Sequence, residues 1–283
     1  MSNKPITSRE YKLMLKTDRF RNRNDGSNEF MDMVVSLIEN QGGEVKTDFE
    51  EKERRVWYLD TPAFALRQNG YILRLRQEME AAKQFKLTLK YRHPDRYLAS
   101  ETQVLASAMA EVKYREDDDD IETKFEEDIL LHSASKFAYS TSIRMNGRPN
   151  LNALADAIDI FPGLETLPIP DDTPMAKVNG FTAQEVKRES GKIDFDMKPK
   201  IKPCLSFWYL SDEAGGYPLV TEFSFDYDVL DEEHERLIKH PDRLEHFPLP
   251  VVENANIFFN AIQSHLSWFD LTGSTKTAFA YTI

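Results

Sequence analysis

Two stretches between residues 71 and 90 alternate strictly between apolar and polar residues, and this alternation constrains the fold more than any other feature of the chain. In a β-strand, successive side chains point to opposite faces, so Arg74 and Arg76 share one face while the intervening leucines share the other. Lys86 and Lys90 repeat the pattern after a polar link that is long enough for a hairpin loop. Two neighbouring strands are therefore predicted to present four cations on one surface.

The acidic composition of the chain makes this basic face a local exception. The 283 residues include 48 acidic and 36 basic side chains, which gives a formal net charge of −12. Such a surface is expected to repel DNA and anionic lipid, because both require a broad basic field. Paired guanidiniums with flanking lysines suit the oxygens of a small phosphate-bearing ligand. The alternative is a half-buried sheet whose charged side faces water.

The composition also indicates in which cellular compartment the protein is expected. Cys204 is the single cysteine, which excludes an internal disulfide and a thiolate cluster for zinc. No run approaches the roughly 20 apolar residues of a membrane span, and MSNKPITSREY has no apolar signal core. We therefore expect a cytoplasmic globular protein, a monomer or a homodimer, without nucleic-acid or membrane partners.

Further stretches show the same alternation. Strands are predicted over residues 9–16, 55–60, 100–105, 122–129, 137–144, 181–188, 192–197, 204–210 and 219–228, with a last strand over about 275–282. Helical spacing of apolar residues predicts helices over residues 29–40, 150–160, 231–238 and 255–268, the last two forming a C-terminal helical part over about 230–270. Ser27 or Asn28 is the expected cap of the first helix, and Gly70 the expected end of a short helical turn.

The charged faces of these strands can be arranged in two ways. A flat sheet would keep them in water, with helices on the apolar side. A closed barrel would gather them in its lumen under an outer coat of helices. The lumen would then contain Lys12, Arg74, Arg76, Lys86, Lys90 and Arg144 together with Glu10, Glu122, Glu126 and Glu222. Because lone buried charges are costly, such a lumen must be wet, internally paired or occupied by an ionic ligand.

The stretch YLDTPAFALRQNGYILRLRQ, residues 58–77, resembles the strand, D-T-P turn and L-R-x-R strand of the CYTH superfamily, also called triphosphate tunnel metalloenzymes. FKLTLK from Phe85 matches the K-x-T-x-K of that family. Weaker matches lie at REYKLML, at KFEEDI, at the strand of Arg144, at VTEFSF and at Lys276, so they extend from about residue 5 to residue 281. The resemblance implies one α+β domain over residues 1–283, an eight-stranded antiparallel β-barrel with helices packed on the outside.

The same resemblance implies a metal-dependent hydrolase acting on inorganic triphosphate, a nucleoside triphosphate or thiamine triphosphate. By motif position, the phosphate ligands would be Lys12, Arg74, Arg76, Lys86, Lys90, Arg144 and Lys276, of which Lys12, Arg74 and Arg76 would serve catalysis. Mg²⁺ or Mn²⁺ would be held by Glu10 and Glu222, and Asp226 on the same strand face as Glu222 would add a ligand. Glu101 matches the acidic residue that orients a basic side chain.

Two departures from the family pattern concern the metal. Ser8 stands where the family has the first glutamate of E-x-E-x-K, and Ser224 stands where it has the second glutamate of E-x-E. These replacements favour the alternative of a polyphosphate- or nucleotide-binding module that does not turn its ligand over. An adenylate cyclase is a further alternative, although no stretch identifies an adenine pocket. The last is a structural β-protein whose charges pair with each other.

The middle of the chain contains an acidic run and a further charged strand. The run from Asp117 to Asp120 is predicted to be a solvated turn, because the position where a calcium loop needs its glycine holds Glu122. Lys124 and Glu126 either line the tunnel or form a cross-strand pair at its rim.

Overall fold

The computed structural model describes residues 4–114, 117, 120–210, 216–228, 247–272 and 275–283. The helix predicted over residues 231–238 lies outside this range. The strands are β1 (Ser8–Leu15), β2 (Glu44–Asp60), β3 (Tyr71–Glu78), β4 (Gln84–His93), β5 (Ile121–Leu130), β6 (Ala134–Asn146), β7 (Ala176–Lys177), β8 (Ala183–Asp194), β9 (Lys202–Leu210) and β10 (Val220–Asp228). The α-helices are α1 (Arg23–Asn40), α2 (Ala65–Gln68), α3 (Arg96–Glu101), α4 (Ala108–Tyr114), α5 (Leu154–Ile160), α6 (Leu249–Gln263) and α7 (Lys276–Thr282).

The strands form a closed β-barrel, which confirms the predicted α+β class. The hydrogen-bonded order is β3-β4-β6-β5-β1-β10-β9-β8-β2, and β2 pairs in turn with β3, so no edge of this sheet is left open. The barrel has nine strands, and the prediction of eight was wrong. Strands β8, β9 and β10 are all needed between β2 and β1, because an unpaired strand edge would leave backbone donors and acceptors unsatisfied. The short β7 lies outside the barrel and pairs with β2.

The chain divides into two compact units. The first consists of Met1–Lys52, Glu127–Ser135 and Glu185–Lys276, and the second of Glu53–Glu126, Lys136–Gln184 and Thr277–Ile283. The single domain over residues 1–283 stays a prediction. None of the helices in the described part of the chain has the length and apolar composition that a membrane crossing requires.

The core of the first unit is aromatic. The apolar rows of β1, β9 and β10 pack against α1 and α6, because alternate residues of each strand point to this side. Tyr11 stacks on Phe225 with ring centroids 4.6 Å apart, and Phe259 of α6 meets the edge of Tyr11 at 5.0 Å. Phe30 of α1 meets Phe223 at 5.1 Å. Each fully buried ring of this kind contributes about 1.5–3 kcal/mol.

Helix α1 begins six residues earlier than the sequence predicted. Its cap is Asn22, whose side-chain oxygen accepts hydrogen bonds from the backbone N–H groups of Asn24 and Asp25 at 3.1 and 3.3 Å. Gly26 lies inside the first turn, where a Cβ atom would be 2.3 Å from the carbonyl oxygen of Arg19. The polar stretch that suggested a link is therefore the start of the helix, and the glycine is required by a close approach of the backbone.

The second unit is built on β3, β4 and β6, whose apolar rows are buried. Asp60 organises the turn that precedes β3: its carboxylate accepts hydrogen bonds from the backbone N–H groups of Thr61, Leu66 and Arg67. This is the physical role of the D-T-P turn, since it caps α2. Gly70, with φ +82°, ends that turn as predicted, and a Cβ atom there would be 2.7 Å from the ring of Tyr91.

Two predicted strands are not strands: only residues 100 and 101 of the first are helical, whereas the second is helical over Lys276–Thr282. Residues 100–105 include the end of α3, which begins after Asp95, because the Asp95 side chain accepts from the N–H groups of Tyr97 and Leu98. Residues 275–282 form α7, in which Thr277 and Tyr281 lie four positions apart on one helical face. Thr277 and Tyr281 both contact β2. The hydroxyl oxygens of Tyr58 and Thr277 lie 3.3 Å apart, and the Tyr281 hydroxyl donates to the Asp60 carboxylate at 2.9 Å.

Other boundaries also differ from the prediction. The two strands predicted over residues 181–188 and 192–197 are largely one continuous strand, β8. The helix predicted over residues 150–160 is the shorter α5, because Asp156 accepts from the backbone N–H groups of Asn152 and Ala153 and fixes the start of the helix after them. The helix predicted over residues 255–268 is α6, which lies several residues earlier.

Candidate functional site

Three cations of the second unit lie side by side in one row across neighbouring strands. Lys86 of β4 is the direct partner of Arg76 on β3 and of Arg144 on β6. We call these three residues the cationic row. Burial lowers the pKa of the Lys86 ammonium below its ordinary value, Glu122 raises it, and Arg76 and Arg144 lower it again, so that the net direction is downward. Lys86 thus has two guanidiniums as strand partners and one carboxylate, Glu122, as its ion-pair partner.

The next layer of the same strands adds a guanidinium and two hydroxyls. Arg74 is the partner of Thr88, which in turn faces Ser142 on β6. The two hydroxyls of Thr88 and Ser142 lie 2.9 Å apart. The Nε–H of Arg74 is buried and has no hydrogen-bond partner among the residues that the structure describes. A buried donor of this kind is costly without an acceptor, so the layer is suited to an oxygen-rich ligand.

Strand β5 supplies carboxylates to these cations. Glu122 accepts from Lys86 at 3.2 Å and forms an ion pair with Lys124 at 2.9 Å. Burial would raise the pKa of Glu122, but the hydrogen bond from Lys124 and the charge of Lys86 outweigh it and lower the pKa. Glu126 accepts from Lys90 at 2.6 Å, and both side chains are about 15 % exposed. Lys90 is thus already neutralised by a carboxylate.

The predicted metal ligands lie in the first unit, and only two of them come together. Glu10 of β1 is the direct partner of Asp226 on β10, and Ser8 is the partner of Asp228. Burial, followed by the charges of Glu10 and Asp228, raises the pKa of Asp226 to about 7. Asp228 was not singled out from the sequence, although it continues the polar row of β10. It forms an ion pair with Lys202 at 2.9 Å.

Lys12 lies between two carboxylates. Its Nζ is 2.7 Å from Glu10 and 2.8 Å from Asp128, and the side chain of Asp128 is fully buried. Asp128 was not predicted as a site residue, but the alternation of β5 places it on the same face as Glu122 and Glu126. The ammonium of Lys12 therefore compensates a buried charge, which is a structural role in addition to the phosphate contact that the sequence implied.

Lys276 and Glu222 bind each other. The Lys276 Nζ lies 2.8 Å from Glu222 and 3.1 Å from Glu185, a buried carboxylate on β8 that also accepts from Ser206 and from the indole of Trp208. Burial alone would lower the pKa of Lys276, but Glu222 and Glu185 outweigh it and raise the pKa. Glu185 was not predicted as a site residue. The signal was alternation, because its neighbour Val186 faces the core and Glu185 therefore lies on the opposite face.

The remaining residues singled out from the sequence lie apart from these groups. Glu101 is exposed at the end of α3. The Asp117 N–H donates to the Asp120 carboxylate at 2.7 Å, which closes a turn, and residues 118 and 119 lie outside the described range. In the part of the chain that the structure describes, no three His, Cys, Asp or Glu side chains come together as a metal-holding group.

Comparisons with known proteins concern the fold. No protein-family model matches the chain, and no curated protein is significantly similar to it in sequence. Among solved structures, a proposed adenylyl cyclase from Hippeastrum, described as having a dominant triphosphatase activity, is similar over 97% of this chain and 95% of its own, at 10% identity and a TM-score of 0.48.

Two further solved structures are described as proposed adenylate cyclases. The one from Bacillus halodurans is similar over 87% of this chain and 95% of its own, at 16% identity and a TM-score of 0.38. The one from Vibrio parahaemolyticus is similar over 98% and 99%, at 14% identity and a TM-score of 0.37.

Proposed function

We propose that the protein is a CYTH-like phosphohydrolase that binds a triphosphate or a longer polyphosphate on the cationic row. The observation that carries this proposal is the register of Arg76, Lys86 and Arg144, three cations side by side on three adjacent strands. Direct cross-strand contact between like charges is destabilising, and an anion bound across the row would relieve that repulsion. Burial, and to a smaller extent the charges of Arg76 and Arg144, lower the pKa of Lys86.

A chain of phosphates fits this row better than a single carboxylate does. Arg76 and Arg144 can each offer two parallel N–H groups to the oxygens of one phosphate, and Lys86 acts as a point charge between them. Arg74 and the hydroxyl pair of Thr88 and Ser142 extend the donors by one layer along the strands. Successive layers on one face lie roughly 6–7 Å apart, a spacing that spans more than one phosphate of a polyphosphate.

The residues of the first unit fit one divalent cation, Mg²⁺ or Mn²⁺. Glu10 and Asp226 are adjacent carboxylates whose mutual repulsion helps to raise the pKa of Asp226, and a bound cation would relieve that repulsion. Magnesium commonly takes one or two carboxylates and completes its shell with phosphate oxygens and water. Glu222 is not part of this set, because it lies four residues from Asp226 along β10 and forms its ion pair with Lys276. When bound, the ion would supply positive charge beside these two carboxylates.

In hydrolysis the protein mainly positions the phosphate chain and offsets developing charge. Arg74 and Arg76 would stabilise the equatorial oxygens of the transferred group, while Lys86 and Arg144 hold the chain in place. Lys12, fixed between Glu10 and Asp128, is held at a set position on β1 by two ion pairs.

A binding module without turnover is the second candidate, and specific observations favour it. Ser8 and Ser224 offer hydroxyls where two carboxylates are expected, and the described residues contain no group of three metal-holding side chains. Lys90 and Lys276 are each compensated by a carboxylate. These features leave fewer protein side chains to bind a metal ion or phosphate, but they do not affect the three cations of the cationic row.

Phosphate release from tripolyphosphate, ATP and thiamine triphosphate, with Mg²⁺, Mn²⁺ or a chelator, separates the two candidates. The hydrolase predicts metal-dependent release from at least one of the three. Binding without release on any of them contradicts hydrolysis and supports the module.

The Arg74→Ala/Arg76→Ala variant tests the row itself by calorimetry with tripolyphosphate. Affinity should drop more than about tenfold, because two charged hydrogen-bond donors are lost. Lys136→Ala is the matched control, since Lys136 is an exposed cation of β6 outside the row. Unchanged affinity in a folded double variant would remove the row from the site.

A further inference from the structure

A second cationic group lies on the opposite, apolar face of the same strands. Trp57 of β2 is the direct partner of Leu75 on β3, whereas its neighbours Val56 and Tyr58 are the partners of Arg76 and Arg74. Alternation therefore puts Trp57 on the face away from those two arginines. Trp57 is 4 % exposed, and its indole Nε1–H is buried without a hydrogen-bond partner among the described residues.

Two cations stack on this indole. The guanidinium carbon of Arg148 lies 5.7 Å from the ring centroid of Trp57, and the Nζ of Lys177 lies 5.1 Å from it. Lys177 is held in place because β7 pairs with β2 and because its Nζ donates to the hydroxyl of Thr182 at 2.9 Å. Arg55 adds a third cation. We call Trp57, Arg55, Arg148 and Lys177 the Trp57 group.

The Trp57 group has an excess of positive charge. Burial lowers the pKa of Lys177, and the charges of Arg148 and Arg55 lower it further. Among the residues that the structure describes, none of the three cations forms an ion pair with a carboxylate. Stacking on an indole is worth only about 0.5–1 kcal/mol for a cation at an exposed site. It accounts for the position of two cations, whereas the buried indole N–H has no acceptor among the described residues and Arg55 is exposed to water.

A pocket adjoins the group. Its volume is about 370 Å³, and it is lined by Leu59, Leu75 and the loop from Arg148 to Asn152. The loop is fixed by Asp156, whose carboxylate accepts from the Asn150 side-chain amide at 3.2 Å and from the Asn152 N–H at 2.8 Å. The lining thus includes two largely buried leucines and one cation, Arg148. Its volume lies in the range of small-molecule sites, roughly 300–1,000 Å³.

We propose that this pocket binds a small organic anion, whose apolar body lies on Leu59 and Leu75 and whose phosphate or carboxylate group is bound by Arg148 and Lys177. Arg148 lines the pocket and stacks on Trp57, so it connects the two halves of the site. Arg55 adds long-range attraction for the anion. The site is independent of the polyphosphate site, because Trp57, Leu59 and Leu75 lie on the face of β2 and β3 opposite to Arg74 and Arg76.

The test uses the full chain with phenyl phosphate, benzoate and inorganic phosphate as probes. The protein contains three tryptophans, so its ¹⁵N-labelled form gives three indole N–H signals in a proton–nitrogen correlation spectrum. The Trp57→Phe variant identifies the Trp57 signal. Trp208, whose indole donates to Glu185 at 3.0 Å, serves as the internal reference. We expect phenyl phosphate or benzoate to shift the Trp57 signal with a Kd of about 1 mM or below.

Two variants decide the assignment. Arg148→Ala/Lys177→Ala should weaken the phenyl phosphate titration by about tenfold or more, because two charged contacts are lost. Lys136→Ala should leave it unchanged, and so should Arg74→Ala/Arg76→Ala, whose arginines face the other way. Melting temperatures establish that each variant is folded; Arg148→Gln replaces the double variant if that one is not.

The comparison of probes identifies the ligand class. Stronger binding of phenyl phosphate than of benzoate indicates an organic phosphate, and the reverse indicates a carboxylate. Equal binding of inorganic phosphate and phenyl phosphate would contradict the role of the two leucines. An unmoved Trp57 signal up to about 10 mM of every probe, or equal titrations of wild type and the Arg148→Ala/Lys177→Ala variant, overturns the proposal.

Discussion

Two lysines of β4 should respond oppositely to the same substitution. Lys86 and Lys90 lie four residues apart on one strand face, but Lys86 has Arg76 and Arg144 as direct partners, whereas Lys90 has Ile72 and Ser140. Replacing each lysine by methionine removes the charge and keeps most of the side-chain volume. We expect Lys86→Met to keep or raise the free energy of unfolding, and Lys90→Met to lower it.

The magnitudes follow from the contacts. Lys86→Met relieves two like-charge contacts, each worth roughly 0.2–1 kcal/mol across paired strands. It loses an ion pair worth about 0.2–1 kcal/mol with Glu122, which is 41 % exposed and keeps Lys124 at 2.9 Å. The net effect is about 0–1 kcal/mol of added stability. Lys90→Met leaves Glu126, which is 14 % exposed, without its ammonium partner at 2.6 Å, a loss of about 1–3 kcal/mol.

The two variants should differ in the opposite order in their affinity for polyphosphate. Loss of the Lys86 ammonium removes a charged contact to polyphosphate worth about 1.5–3 kcal/mol, which is roughly a 10- to 100-fold weaker Kd. Lys90→Met should weaken binding less, because that ammonium is already committed to Glu126. Urea unfolding at neutral pH gives the stabilities, and calorimetry with tripolyphosphate gives the affinities. A Lys86→Met variant that is clearly less stable than wild type, yet binds equally well, would refute the assignment of the cationic row.

Three further predictions concern carboxylates. Lys276→Met should lower the free energy of unfolding by about 3 kcal/mol or more in urea melts, because it leaves Glu185 and Glu222 buried without their cation; a change below about 1 kcal/mol would contradict that ion-pair arrangement. The pKa of Asp226 rises on folding from 3.8 to about 7, so the folded state binds more protons between those pH values and stability should fall as pH rises through that window. This fall in the free energy of unfolding is at most about 4 kcal/mol, and the Asp226→Asn variant should show a smaller one. Mg²⁺ should reduce the fall in the wild-type protein. Identical melting profiles of wild type and Asp226→Asn from pH 4 to pH 8 would refute the raised pKa of Asp226. Asp60→Ala should lower the melting temperature by several degrees, since four hydrogen bonds to one carboxylate are lost, and an unchanged melt would show that α2 does not depend on this cap.

The sequence by itself determined the polarity of the strands. Because side chains alternate with a period of two, the residues from Tyr71 to Lys90 could only place Arg74, Arg76 and Lys86 on one face and the leucines on the other, and the structure does so. The same local rule predicted the strand of Glu222. It failed for residues 275–282, where a short apolar run fits a helix as well as a strand and contact with β2 decided the outcome.

Only the tertiary structure decided which charges are compensated. Lys12 and Asp128 are 116 positions apart in the chain, and Lys276 and Glu185 are 91 apart, so no local pattern indicates that they form ion pairs. The number of barrel strands depends likewise on which edges meet when the sheet closes. Sequence periodicity sets the face on which a charge lies, but the free energy of that charge depends on what the fold brings within a few ångströms of it.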